Sequence, residues 1–406
     1  MSLDQQSPTA SHPKQGHAVD RTPNKLLFGM LFSFCLALSL ARFVWPAQLL
    51  MSFLLSTLGL VALVLTSKTI EKKYLKIYSF IGLFLFSFLV SSLFVSARTD
   101  RLGHVVLFIL ANAGIALLLV KGCVPRAGAY FVFYTLAVCF VALIVTGVDA
   151  RDALTATSYN GISMMLLAAC ISLYIVLGVD GGKIDLKPAL VTALLCIWAI
   201  GRSGILSSVF LLGGLALITL QGRISSRYVY IFVLGLVFFF AYLFFDNLGS
   251  LSEDNVLLGN AVDNYSARSA DEESPRLVMW GNYLNNLDFF RLVFGANIFT
   301  DPWPQGEEFG YNYHNSWISL HSQTGLMGLV VIALVGLSLL KFWKNNKLFF
   351  VLFSAVIIRW STDTGIFFES WDFLVYFFIF YYLSGKADKP DRRAQESDAR
   401  PLQDRV

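Results

Sequence analysis

The sequence predicts an all-α integral membrane protein with about twelve transmembrane helices and one large external loop that contains amphipathic helices. Three observations support this prediction. Apolar residues make up 56% of the 406-residue chain and charged residues 14%, whereas a soluble domain usually carries about 25% charged residues. Twelve apolar segments approach the roughly 20 residues that a helix needs to cross a bilayer. One long polar insertion, 246–321, separates the ninth segment from the tenth.

The predicted spans follow one another with short polar links. Spans one to nine lie in 26–245 and spans ten to twelve in 322–385, and the polar stretches 1–25 and 386–406 are predicted to be disordered tails. The seventh and eighth spans are short, and Arg202 alone divides them. The predicted spans are 26–44, 46–66, 76–96, 104–120, 127–147, 161–179, 188–201, 203–220, 228–245, 322–340, 347–361 and 366–384.

The distribution of basic residues predicts the orientation of the chain. An even number of spans places both tails on one side of the membrane. If that side is the cytoplasm, 22 of the 31 Lys and Arg residues lie inside, in agreement with the positive-inside rule. The insertion 246–321 is then external, which means periplasmic in a Gram-negative cell.

Lysine and arginine are divided between the two sides. All fourteen lysines fall on the predicted inner side, and every predicted external basic residue is an arginine. One explanation is that lysine alone provides the topological signal. The other is that an outer face lined with arginine binds phosphate, because a guanidinium group is a planar, permanently charged fork. The second explanation predicts a phosphorylated lipid as the ligand.

The first candidate site residue is Arg202, in the segment GRSG at 201–204. A charge at membrane depth is costly unless it lies at an edge or serves a site. The glycines on either side let a ligand or another backbone approach closely. Arg202 is equally explained as a side chain that extends to the interface from a tight helical hairpin.

The second candidate is Arg276, in a helix predicted within 273–290 with Ser274 as N-cap and Pro275 in the first turn. Apolar residues recur there at spacings of three and four, which predicts an amphipathic helix on the membrane surface. These residues are Leu277, Trp280, Leu284 and Leu287. Arg276 lies beside free backbone amides, where helices bind anions; a pairing with a neighbouring glutamate or a lipid headgroup is the alternative.

The third candidate precedes the tenth span, in YNYHNSWISLHSQTGLMGL at 311–329. His314 and His321 are seven residues apart, which predicts that they share one helix face about 10 Å apart. This spacing does not favour binding of one zinc ion, for which a helix uses positions i and i+4. One histidine in acid–base chemistry near neutral pH fits better.

The same stretch has a second explanation that involves no chemistry. Both histidines are also explained as polar anchors at the membrane interface. The aromatic residues beside them are explained either as members of the interfacial aromatic belt or as platforms for sugars. These residues are Tyr311, Tyr313 and Trp317.

Taken in order, the three segments resemble the O-antigen ligase and O-antigen polymerase superfamily of bacterial inner-membrane glycosyltransferases. GRSGIL (201–206) is similar to the family's arginine-containing start of a span. SPRLVMWGNYL (274–284) resembles its arginine-plus-aromatic segment in the large periplasmic loop. YHNSWISLHSQTGLMGL (313–329) resembles its His-Asn motif followed by a Gly-x-x-Gly helix. One departure is Gly201, which stands where the family often has Thr or a small hydroxyl residue.

The resemblance implies a GT-C-like fold in the inner membrane, both termini in the cytoplasm, a periplasmic active site and no cofactor or metal. The implied donor is a glycan on undecaprenyl pyrophosphate, and no nucleotide or nucleic acid takes part. A ligase transfers this glycan to a sugar hydroxyl of the lipid A core, and a polymerase transfers it to a second lipid-linked repeat. The single external loop of about 75 residues favours the ligase.

Carried over residue by residue, the resemblance implies that His314 is the general base and that Arg202 and Arg276 bind the pyrophosphate. Asn315 follows His314 in the motif and is predicted to orient it. Further substrate contacts are predicted for Asn315, Tyr313, Trp280 and His321. The predicted reaction is a direct displacement with inversion, since pyrophosphate is already a good leaving group.

Two other classes of function fit the sequence less well. A transporter needs ionisable groups or broken helices near the midplane, whereas the predicted spans carry almost no charge. Glu369 and Asp372 lie near the outer end of the last span. A structural scaffold gives no reason for external arginines and histidines to cluster, so the sequence favours an enzyme.

Overall fold

The computed structural model describes residues 25–44, 48–67, 71–95, 102–122, 124–154, 160–220, 275–297, 313–361, 363 and 365–388. Within these ranges every regular element is a helix. The α-helices are α1 (Lys25–Val44), α2 (Gln48–Ser67), α3 (Leu75–Val95), α4 (Leu102–Lys121), α5 (Arg126–Val145), α6 (Asn160–Val179), α7 (Lys187–Trp198), α8 (Arg202–Leu220), α9 (Pro275–Asn285), α10 (Phe289–Phe294), α11 (Ser316–Thr324), α12 (Leu326–Asn345), α13 (Lys347–Trp360) and α14 (Asp372–Leu383). Short 3-10 turns lie at Lys72–Tyr74 and Lys386–Asp388.

Eight helices, α1 to α6, α8 and α12, are long and apolar enough to cross a membrane. The prediction of an all-helical integral membrane protein is therefore confirmed. The predicted spans at 188–201, 347–361 and 366–384 are present as the shorter helices α7, α13 and α14. The predicted span at 228–245 lies outside the described residues, as do most of the predicted loop and tails, so the count of twelve stays a prediction.

The predicted tenth span, 322–340, is wrong in its first turn. The chain there forms two helices, α11 and α12, which are separated by Gly325 at a φ of 54°. A Cβ atom on Gly325 would lie 1.9 Å from the carbonyl oxygen of Val293, so close packing against α10 and the backbone conformation both require glycine. His314 precedes α11 and His321 lies within it, so the predicted shared helix face is also wrong.

Long-range contacts show which helix ends lie together. At one end, the amino groups of Lys121 and Lys386 donate to carbonyl oxygens near the ends of α2 and α4; we call this the lysine end. At the other end, Arg42 pairs with Glu369 just before α14, and Arg359 donates to the carbonyl oxygen of the first residue of α6; we call this the site end. Lysine and arginine therefore occupy opposite ends of the bundle at these contacts, as the sequence predicts.

Helix α6 lies at the centre of the bundle. Seventeen of its twenty residues are buried, and it packs against α5, α7, α8 and α13. A helix that is apolar on all sides is typical of such a buried position. Outer helices instead expose apolar side chains, such as Leu93 of α3 and Val145 of α5, which is the pattern expected of a lipid-facing surface.

The site end contains irregular backbone that is buried. Helices α7 and α14 have twelve residues each, about 18 Å, and therefore fall short of the roughly 30 Å hydrocarbon core. The predicted last span begins at 372 and not at 366, because the Asp372 carboxylate accepts hydrogen bonds from the amides of Phe368 and Glu369 and holds 365–371 in a loop. Such backbone at membrane depth is tolerated only where protein buries it or where it lines a cavity.

Candidate active site at the site end

Three consecutive side chains attach the start of α11 to the segment that follows α13. Asn315 caps α11 by accepting hydrogen bonds from two backbone amides, and its Nδ2 donates to the carbonyl oxygen of Ser361 at 2.9 Å. Ser316 Oγ donates to the carbonyl oxygen of Asp363 at 2.8 Å, and Trp317 Nε1 donates to Ser361 Oγ at 2.9 Å. These three contacts hold the start of α11 in place and so position the preceding residue, His314, beside Asp363.

His314 contacts the carboxylate of Asp363. The distance from His314 Nδ1 to Asp363 Oδ1 is 3.8 Å, and the side chains are 30% and 14% exposed. The His314 backbone has a φ of 48°, a left-handed conformation that few residues other than glycine adopt. Strain of this kind persists where the surrounding contacts impose it, and it is concentrated at functional sites. At 3.8 Å the imidazole and the carboxylate form an ion-pair contact that is longer than a hydrogen bond, and His314 is still partly open to a substrate.

A buried arginine lies on the other side of Asp363. Arg359 Nη2 is 3.5 Å from Asp363 Oδ2, and the Arg359 side chain is 0% exposed. The same nitrogen donates to the carbonyl oxygen of Asn160 at 3.1 Å. The sequence alone predicts no function for Arg359 or Asp363. The sequence feature that marks these two residues is a pair of opposite charges four positions apart at the end of an apolar span, where charges are costly.

Arg202 is the first residue of α8, and its side chain is exposed. The flanking glycines bring this segment against the start of α6: a Cβ atom on Gly201 would lie 3.1 Å from Asn160 Oδ1, and one on Gly204 would lie 2.3 Å from Ser163 Cβ. The first residue of α6 thus contacts both the GRSG segment and Arg359.

Replacing Gly204 with alanine is expected to destabilise the protein by about 1–3 kcal/mol, the usual cost of overpacking, because the new methyl group clashes with Ser163. The measurement is thermal unfolding of the purified protein in detergent. Gly336→Ala is the matched control, since a Cβ atom on Gly336 meets no atom within 4 Å. Equal unfolding temperatures for the two variants would show that α6 and α8 pack less closely than these distances imply.

The predicted helix within 273–290 is divided into α9 and α10 by a short break, and α9 begins at Pro275 as predicted. The buried residues of α9 include Met279 and Tyr283, whereas Leu284 is 59% exposed. The helix therefore packs on the protein with a face adjacent to the predicted apolar one. Leu284 of α9 and Phe289 and Phe290 of α10 are exposed apolar side chains, which fits a position of these two helices at the membrane interface.

Arg276 lies in the first turn of α9, and its side chain lies outside what the structure describes. The position of α9 is nevertheless defined by later residues. Trp280 Nε1 donates to the carbonyl oxygen of Tyr313 at 2.8 Å, and the rings of Tyr283 and Tyr313 lie 5.0 Å apart edge to face. Tyr313 is the residue before His314, so α9 and the candidate base share one support.

His321 connects three helices at the site end. Tyr283 Oη of α9 lies 2.6 Å from His321 Nδ1, and His321 Nε2 lies 3.2 Å from the carbonyl oxygen of Leu292 in α10. A carbonyl oxygen only accepts, so Nε2 carries the proton and Nδ1 accepts from the tyrosine. Burial lowers the pKa of His321, and the hydrogen bond to Leu292 opposes this effect. His321 is therefore a neutral structural link, and contact with substrate stays a prediction for it.

Because the folded pKa of His321 lies below its unfolded value of about 6.5, the folded state binds fewer protons than the unfolded state. Its contribution to stability is complete above about pH 6.5 and is lost as the pH falls toward the folded pKa. We expect thermal stability to fall between about pH 7.5 and pH 5.5 in the wild type and to fall less in His321→Gln. His104→Gln is the control, and an equal fall in all three proteins would contradict the assignment.

The irregular loop 365–371 is held from two sides. Arg42 Nη1 lies 3.0 Å from Glu369 Oε2 and donates to Ser370 Oγ at 2.7 Å. Asn112 of α4 donates to the carbonyl oxygen of Glu369 at 3.1 Å. The non-glycine residues with positive φ in the described chain all lie in segments at the site end: Ile200, His314, Phe367 and Phe368. Backbone strain is therefore concentrated around His314 and the start of α8.

An apolar groove of about 730 Å³ runs between α3 and α12 and reaches α10. Its lining extends from Lys76 near the lysine end to Ser91 and Phe294 at the site end, about 22 Å along α3. The hydroxyl of Ser91 donates to the carbonyl oxygen of Phe294. The groove thus joins the membrane interior to the helix that contacts His321.

Among the described residues, no group of three or more His, Cys, Asp and Glu side chains is arranged to hold a metal ion. Tyr313 is fully buried, and Asn315 caps α11, so both have structural contacts. Direct contact of Tyr313, Asn315 and Trp280 with substrate stays a prediction.

The long apolar helices define a multi-pass membrane protein. The polar side chains around His314 and Asp363 form a candidate site at one end of its helical bundle. Residues 188–333 match the family model of O-antigen ligase. This region runs from α7 into α12 and contains Arg202, Arg276 and His314, so the resemblance to the O-antigen ligase and polymerase superfamily is confirmed. Its members are glycosyltransferase-like enzymes that act on lipid-linked glycans. A comparison with curated proteins found no match.

Proposed function

We propose that this protein is an O-antigen ligase of the bacterial inner membrane. It transfers an O-antigen polysaccharide from undecaprenyl pyrophosphate to a sugar hydroxyl of the lipid A core, on the periplasmic face and without a metal. The observation that carries this proposal is the arrangement of His314 against Asp363 at the start of α11. Two further contacts support it: the start of α8, which carries Arg202, packs against Asn160, and α9, whose first turn includes Arg276, packs against Tyr313.

In the proposed reaction His314 is the general base. With Nδ1 facing the Asp363 carboxylate, the neutral imidazole carries its proton on Nδ1 and accepts the acceptor hydroxyl proton on Nε2. The hydroxyl oxygen attacks the anomeric carbon of the donor glycan as the bond from that carbon to the phosphate oxygen breaks. Attack from the face opposite the leaving group inverts the anomeric configuration, and the electron pair of the broken bond leaves on undecaprenyl pyrophosphate.

Arg202 and Arg276 bind the pyrophosphate and balance the charge that develops on it. Each is in the first turn of a helix, α8 and α9, where backbone amides lacking intrahelical partners add to the attraction for an anion. A guanidinium group provides two parallel hydrogen bonds to phosphate oxygens. This arrangement needs no divalent cation.

Both substrates in this proposal are anchored in the membrane, and the apolar groove supports that feature. The groove extends about 22 Å along α3, more than one leaflet of a hydrocarbon core of roughly 30 Å. A polyprenyl chain is long enough to follow it across the midplane, and its upper end at Phe294 lies on α10, next to α11. The groove therefore provides an apolar path for the lipid chain of the donor that ends beside the helix in contact with His321.

The alternative function is an O-antigen polymerase, which uses the same chemistry with a second lipid-linked repeat as the acceptor. The family match covers both activities. The single long external insertion, 246–321, favours the ligase.

Electrophoresis of lipopolysaccharide from a strain that lacks this protein tests the choice. We expect the whole ladder of O-antigen bands to disappear while lipid-linked polymer accumulates, because polymer forms but is not transferred. Expression of the wild-type chain restores the ladder, and expression of His314→Ala serves as the matched negative control. A core that carries only one repeat would contradict the ligase and indicate the polymerase.

A further inference from the structure

Arg359 is a fully buried cation at the end of α13. Burial of an arginine within a membrane bundle is expensive, and such residues face a functional interior or a partner that compensates the charge. Nothing in the proposed chemistry uses Arg359 directly, since neither the proton nor the leaving group passes to it. Its contacts therefore require a separate explanation.

Those contacts extend in two directions. Arg359 Nη2 lies 3.5 Å from Asp363 Oδ2 and 3.1 Å from the carbonyl oxygen of Asn160. Asp363 contacts His314 through its other oxygen, Oδ1, at 3.8 Å. Asn160 is the residue against which Gly201 packs, one position before Arg202. The guanidinium group of Arg359 thus lies between Asp363, which contacts His314, and Asn160, against which the start of α8 packs.

We propose that Arg359 is a positioning residue, which holds the Asp363 carboxylate toward His314 and sets the distance between the base and the start of α8. This inference rests on the proposed function of His314 as the base. Ser316 already fixes the backbone of Asp363 through its carbonyl oxygen, so the backbone contact leaves the carboxylate free to rotate about its last torsion angle. The ion pair with Arg359 limits that freedom, because it holds Oδ2 toward the guanidinium group and leaves Oδ1 on the side of the imidazole.

A rigid planar fork suits this function better than a point charge. Lysine at position 359 has one ammonium group on a flexible stem, and it does not hold Asp363 and Asn160 in a fixed relative orientation. A misplacement of about 1 Å in a catalytic group can cost on the order of 10²-fold in rate. Arg359→Lys is therefore expected to lower kcat by about 10–100-fold, while the KM for the lipid-linked donor changes by less than about twofold, since the pyrophosphate contacts remain.

The test is a double-mutant cycle on purified protein in detergent, with Arg359→Lys, Asp363→Asn and the double variant. If Arg359 acts through Asp363, the double variant has about the same kcat as Asp363→Asn alone, because the second change removes nothing further. Arg126→Lys is the matched control: it alters another long-range arginine–aspartate pair, with Arg126 Nε 3.2 Å from Asp180 Oδ2 at the lysine end, and its kcat is expected to equal that of the wild type.

Two results would overturn the inference. The first is an additive loss in the double variant, which assigns Arg359 to stability or to another partner. The second is a rise in donor KM that matches the loss in kcat. If Arg359→Lys fails to fold, Arg359→Gln replaces it in the cycle, since its amide keeps a donor for the Asn160 carbonyl and lacks the charge. Failure of the proposed function is distinguishable, because His314→Ala would then retain the kcat of the wild type.

Discussion

The His314→Ala variant is expected to transfer glycan about 10²–10⁴-fold more slowly than the wild-type protein, the range typical of lost general acid–base catalysis. The reason is that the acceptor hydroxyl is a weak nucleophile until its proton is removed. The imidazole of His314 meets three conditions together: partial exposure, contact with a carboxylate, and a backbone held in place by neighbouring residues. Binding of the lipid-linked donor is expected to stay close to the wild-type level.

The measurement is transfer in vitro from lipid-linked donor to lipid A core, alongside a separate binding assay for the donor. His104→Ala is the matched control, because His104 lies in the first turn of α4 and contacts Phe108. We expect the control to transfer at the wild-type rate. Near-normal transfer by His314→Ala, or a loss of donor binding as large as the loss of transfer, would show that His314 is an anchor or a ligand-binding residue.

Replacement of His321 distinguishes a structural histidine from the proposed catalytic one. His321 is buried and joins α9, α10 and α11 through Tyr283 and Leu292. Its replacement is expected to act through the position of α9, and so to lower thermal stability together with activity. A loss of activity with unchanged stability is expected only for a residue such as His314, whose side chain is partly exposed.

The positions of the helices could be predicted because they depend on local sequence. Long apolar runs that end at charged or small polar residues define spans such as α1 and α6 within about three residues. Pro275 at the start of α9 was predictable for the same reason, since proline is favoured in the first turn of a helix. The break at Gly325 was not, because it depends on the close approach of Val293 from α10, which is a tertiary contact.

The candidate site was predictable only in part. Arg202, Arg276 and His314 stand out because their residue types are unusual beside apolar spans. The partner of His314 could not be predicted, since Asp363 lies 49 positions later in the chain and is brought close by contacts of Ser316 with Asp363 and of Trp317 with Ser361, just after α13. Asn315 was predicted to orient His314. The structure shows that Asn315 caps α11 and donates to the carbonyl oxygen of Ser361; its effect on the orientation of His314 stays a prediction.

The second large effect is expected when lysine replaces Arg202 or Arg276, the two arginines proposed to bind the pyrophosphate. Arg202→Lys and Arg276→Lys keep the positive charge but lose the two parallel hydrogen bonds of a guanidinium group. We expect transfer to fall on the order of 10²-fold in each, comparable to the removal of one donor that stabilises developing negative charge. Expression and membrane insertion are expected to be unchanged, because lysine provides the same net charge.

Arg151→Lys is the matched control for both variants. Arg151 is an exposed arginine in the link between α5 and α6, which leads into the site end, and no part of the proposed mechanism uses it. If arginine outside the membrane served only as a charge, all three variants would transfer at the wild-type rate. If the guanidinium groups of Arg202 and Arg276 bind pyrophosphate, those two variants lose activity and Arg151→Lys does not. Full activity in Arg276→Lys alone would reduce Arg276 to a headgroup contact and leave Arg202, at the start of α8 beside Asn160, as the remaining phosphate ligand.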